Sequence, residues 1–244
     1  MKCRLDIIDS ESWPTEAVNV VRNKLKSFGG DEESINKISS KLVNRDDDEV
    51  TLFFKTQVRE IVNHISGFVA YHCCRPLSVQ SYRDHGLLVR TDERLRAFAQ
   101  KYVGDVSGWE TACDEVLALY HGPYRNHWYD NTAGLGFVPF ESYAKSGSYF
   151  LCGIFERLGA MGKERKRELF ENTKPVSIKC ELPRAWVVGD ETDGDLLGSY
   201  VEELLLSIIA HECGREREIF NPSAIHLLVD LPPDNILEIR CLNA

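Results

Sequence analysis

No stretch of the 244-residue sequence stays apolar for the width of a bilayer, and Met1 to Asp9 carries a Lys, an Arg and two Asp in place of a leader's apolar core. These absences predict a soluble, cytoplasmic protein with no membrane partner. Basic charge is also in short supply: 29 Lys and Arg face 38 Asp and Glu, for a net charge of -9, which opposes non-specific binding to a phosphate backbone. No G-x-G-x-x-G and no G-x-S-x-G motif occurs, removing the usual dinucleotide-fold and hydrolase signatures.

Other motifs begin and then fail. His211-Glu212 opens like a zinc-protease helix, but Arg215 stands where the second His is required. Cys73-Cys74 follow His72, yet neighbouring strand residues point to opposite faces and no Cys-x-x-Cys pair completes a zinc site. The Gly159 to Lys163 segment is too short for a phosphate loop, and Glu164 replaces the hydroxyl that would hold magnesium. No metal site is expected. No repeat, low-complexity tract or linker appears either, so one α+β domain over residues 1–244 is the simplest partition, with 1–65 helical and 66–244 as its core.

Cysteine is plentiful. Eight occur (Cys3, Cys73, Cys74, Cys113, Cys152, Cys180, Cys213 and Cys241), mostly within apolar periodic segments, which predicts reduced and largely buried thiols. With 43% hydrophobic residues the chain has material for a substantial core. Apolar spacing predicts helices at Trp13 to Phe28, Ile35 to Leu42 and Val50 to Ile65, the last capped by Asp48. Phe68 to His72 reads as a buried strand. Further helices are expected at Val79 to His85, Glu93 to Tyr102, Trp109 to Tyr120, Ser148 to Leu158, Lys163 to Glu171 and Leu196 to Cys213, with strands at Leu135 to Phe140 and Val176 to Leu182. Ile225 to Leu231 and Ile236 to Leu242 read as a hairpin around Pro232-Pro233-Asp234-Asn235.

One constellation remains. His72 ends the first long strand and is followed by Arg75-Pro76 and Ser81-Tyr82-Arg83-Asp84-His85-Gly86-Leu87; later, Gly136-Phe137-Val138-Pro139-Phe140 leads through Tyr143 to Ser146-Gly147-Ser148-Tyr149. From Phe68 to Phe155 this layout resembles the ADP-ribosyltransferase fold of the diphtheria-toxin and poly-ADP-ribose-polymerase branch. The resemblance implies a split mixed β-sheet, NAD as substrate, and a protein or nucleic acid as acceptor, as for a bacterial toxin or defence effector. It gives His72 the ribose and Tyr149 one face of a nicotinamide sandwich. Cys73, Arg75, Tyr82 and Ser148 would contact the rest of NAD. Val138 stands where the second aromatic belongs, leaving Phe137, Phe140 or Tyr143 as substitutes. The acid that helps the acceptor falls to Glu238, with Glu181 as its rival.

The chemistry explains why such residues are useful. Cleaving the nicotinamide–ribose bond leaves an oxocarbenium-like sugar, so a site must grip the ribose, orient the ring and tolerate developing positive charge. Structural readings compete with each assignment: His72 as a core histidine bonded to a carbonyl, Tyr149 as an amphipathic core residue, Glu238 as the solvent-facing member of a half-buried strand. A non-catalytic interaction module that uses the aromatic loop from Tyr120 to Tyr129 is the competing function.

Overall fold

The computed structural model describes residues 4–27, 32–43, 48–74, 76, 78–89, 91–121, 135–137, 149–187, 192–193, 196–214 and 225–242. β1 (Arg4–Leu5) precedes α1 (Thr15–Ser27), which buries Ala17, Val21 and Leu25 at one-turn spacing. α2 (Glu32–Val43) and α3 (Glu49–Val62) follow. Asp48 starts α3 as expected: its carboxylate accepts from the Val50 and Thr51 amides, while the Thr51 hydroxyl oxygen accepts from the Asp48 amide. β2 (Gly67–Cys74) outruns the expected strand at both ends. α4 (Gln80–His85) stops at Gly86, whose φ of 74° and ψ of −159° fall where a Cβ is hardly tolerated.

α5 (Asp92–Val103), α6 (Trp109–His121), β3 (Leu135–Phe137) and α7 (Tyr149–Arg157) come next. α8 (Gly159–Asn172) is split from α7 by Gly159, at φ 61°. β4 (Val176–Pro183) runs into the single turn α9 (Arg184–Val187), which periodicity did not foretell; β5 (Thr192–Asp193), α10 (Leu196–Glu212), β6 (Ile225–Leu227) and β7 (Ile236–Cys241) complete the order. The chain is thus α+β. One sheet has the order β1-β2-β4-β7, with β1 parallel to β2 and β4 antiparallel to β7, and a second has the order β3-β6-β5.

The expected C-terminal hairpin does not form, because β6 and β7 belong to different sheets. Pro232 and Pro233 lack amide hydrogens for a ladder, and Pro233–Asn235 closes into a 3-10 turn. Leu231 instead exchanges two backbone hydrogen bonds with Leu87, at 2.9 and 2.8 Å. Asp230 secures the same strip, accepting from the Val89 amide and from Arg94.

Two compact units share the chain. One gathers β1, α1 to α3, the first half of β2, the end of β4, α9, β5 and α10. Here α10 packs on α1, α2 and α3. Its Tyr200 ring lies 4.7 Å from that of Phe68, and its hydroxyl donates to the Val69 carbonyl at 3.0 Å. The other unit holds the second half of β2, α4 to α8, the start of β4, and β7. Its helical core joins Leu95, Ala99, Val116, Leu151, Ile154 and Phe155. Gly162 brings α8 so close to α7 that a Cβ there would meet the Phe155 carbonyl oxygen at 1.9 Å. Two of the boundaries between the units fall inside strands, β2 after Ala70 and β4 after Cys180.

Candidate active site

Strand formers on both sides of His72 make β2 an interior strand, and His72 is buried, with 9% of its surface exposed. Just beyond it the Cys74 thiol lies 3.3 Å from the Tyr82 hydroxyl of α4. The strand that carries His72 and the helix that carries Tyr82 are therefore in direct contact. Cys73 lies 4.0 Å from the Ser177 hydroxyl on β4, and burial raises its thiol above the ordinary cysteine range, an effect the Ser177 hydrogen bond partly opposes. Burial likewise pushes up the thiols of Cys113 and Cys180. These are protonated, weakly nucleophilic groups suited to packing.

Sheet geometry decides which side each candidate faces. Lys179 stands opposite Glu238 in the β4–β7 register, and its amine sits 6.0 Å from the centre of the Tyr71 ring. Tyr71, Lys179 and Glu238 therefore share one face, and alternation puts His72 on the other. Glu238 is exposed there. Glu181, two residues along β4 from Lys179, is paired with Arg4 at 2.7 Å and packs over Gly67, where a Cβ would meet its carboxylate at 2.7 Å. The structure does not bring Glu238 onto the face of His72.

Tyr149 is the first residue of α7. Arg75, Val138, Phe140, Tyr143 and Ser148 lie outside the described residues, as do residues 122–129 of the aromatic loop; Phe137 ends β3. Among the described residues no three His, Cys, Asp or Glu side chains are grouped to hold a metal ion. Nor is any described helix long and apolar enough to cross a membrane.

None of the seven described cysteines forms a disulfide, and Cys3 lies outside the described residues. Fewer are buried than expected: Cys113 and Cys180 are buried, Cys73, Cys74, Cys152 and Cys213 are half-buried, and Cys241, on the outer strand β7, is exposed. The His211-Glu212 pair has a structural use: Arg22 grips Glu212 with two hydrogen bonds of 2.7 and 2.8 Å, and His211 meets Trp13 edge-on at 5.5 Å, tying α10 to the start of the chain. That guanidinium holds the Glu212 carboxyl below the usual carboxylate range. Sequence spacing alone could not find this tie, because its partners lie far apart along the chain.

The chain matches no family model, no curated protein and no solved structure.

Proposed function

We propose that the chain is an NAD-dependent ADP-ribosyltransferase that modifies a protein or nucleic-acid acceptor, in the manner of a toxin or defence effector. The observation that carries this reading is His72: a buried imidazole on an interior strand, followed within ten residues by a helix whose Tyr82 hydroxyl contacts Cys74. Such a strand can hold one imidazole at fixed orientation, and its ring N–H would donate to a ribose hydroxyl of NAD. Release of nicotinamide would leave positive charge on the sugar, which a carboxylate stabilises while taking the acceptor's proton. Glu238 and Glu181 are the candidates for that role.

A second reading, a non-catalytic interaction module on the same scaffold, is favoured by one observation: Glu238 lies across the sheet from His72. NAD distinguishes the two. A transferase gives a saturable thermal shift with NAD and releases nicotinamide. Replacing His72 by Ala should abolish the shift, and replacing Glu238 or Glu181 by Gln should cut turnover at least tenfold while leaving the shift in place. A wild type with neither signal sinks the transferase reading and leaves the interaction module.

A further inference from the structure

β7 is the outermost strand of the four-stranded sheet, and no strand among the described residues pairs along its outer side. Such an edge offers unpaired backbone groups to another chain unless something blocks it. The phase of those groups follows from one bond: the Leu242 amide donates to the Pro175 carbonyl at 2.9 Å. Leu242 therefore turns its backbone towards β4, and by alternation Arg240 and Glu238 do the same. The amide and carbonyl of Ile239 and of Cys241 point outwards. Leu237, Glu238, Arg240 and Cys241 are all exposed.

We propose that β7 pairs antiparallel with β7 of a second copy of this chain, with Ile239 opposite its own counterpart on a twofold axis. The inference stands on the sheet edge and not on the transferase reading. Outward-facing residues must meet outward-facing residues, so the competing registers shift by whole steps. A register centred on Glu238 sets Glu against Glu, and one centred on Arg240 sets Arg against Arg. Only the register centred on Ile239 places Glu238 opposite Arg240, and twofold symmetry does so twice.

In that register Ile239 exchanges two backbone bonds with its counterpart, and Glu238 and Arg240 fall at the close, non-hydrogen-bonded positions where side chains approach best. Both sheet faces then continue across the axis. On one, Lys179 and Glu238 of the first copy lead to Arg240 of the second, alternating in sign. On the other, Ile178 and Ile239 lead to a second Ile239 and Ile178, an apolar row. Charges on an edge strand ordinarily repel partners; here their order admits one partner in one register.

Sedimentation of the full chain over a concentration series up to about 1 mM tests this, since a contact this small calls for an affinity in the micromolar range or weaker. The mass should rise from monomer to dimer. E238R alone and R240E alone should each weaken dimerisation at least tenfold, and E238R combined with R240E should restore it, with thermal melts establishing that every variant is folded. A monomer at every concentration, or a dimer indifferent to both single charge variants, would overturn the proposal.

Discussion

Gly86 shows how one residue fixes a local fold. Its backbone occupies a region nearly reserved for glycine, and a Cβ would sit 1.9 Å from the Leu231 carbonyl oxygen, the atom that accepts from the Leu87 amide. Gly86→Ala should cost about 1–3 kcal/mol in backbone strain before that overlap is added, read as a lower urea midpoint with an unchanged slope. No change in midpoint would mean that the turn relaxes freely. Asp230 on the same strip is held below the ordinary carboxylate range by its hydrogen bond from Arg94, so this tie persists wherever the carboxylate is charged. The helix end at His85, just before Gly86, was legible in the sequence. The close approach of Gly86 to Leu231 was not, because Leu231 reaches it only through the tertiary fold.

At the scale of elements, the signals that succeeded were local. Asp48 before Glu49 announced α3, and the box with Thr51 is there. The Lys41 ammonium, with help from the Thr51 amide, brings the Asp48 carboxyl down to about 2. A carboxyl with a lowered folded-state pKa stabilises the fold above its ordinary value of 3.8 and loses that contribution as the pH falls towards about 2. Melting temperatures of wild type and Asp48→Asn should therefore differ at neutral pH and converge across that acid window; a constant gap down to pH 2 would refute the assignment. The signals that failed were non-local. Ile236 to Leu242 reads as a strand from its own residues, but its choice of β4 over β6 depends on two prolines that interrupt the ladder and on a register set by Val176 to Cys180. Candidate site residues suffered in the same way: His72 and Glu238 each sit on a strand as expected, while the face each presents depends on strand pairing. Two-residue strands such as β1 carry no period to detect.

Across the whole molecule, contacts divide by their distance along the chain. α5 to α8 pack with near neighbours through one core, and the unit containing α10 depends on pairings such as Arg22 with Glu212. Local contacts close small loops and form early, whereas distant ones bear a larger loop-closure entropy. Pulse-labelling hydrogen exchange during refolding should accordingly protect amides of α5 and α6 before those shared by β4 and β7, and simultaneous protection would contradict this order. The pairing of β4 with β7 has a further meaning for a chain made from one end. As β4 leaves the ribosome its neighbour β2 is already made but β7 is not, and the edge of Val176 to Cys180 that β7 will cover waits with open hydrogen-bonding groups while α10 and the following segment are synthesised. Synthesis therefore creates a transient sticky strand whose lifetime is set by translation speed, so slow codons between β4 and β7 would lengthen the interval in which a nascent chain can pair with the wrong neighbour.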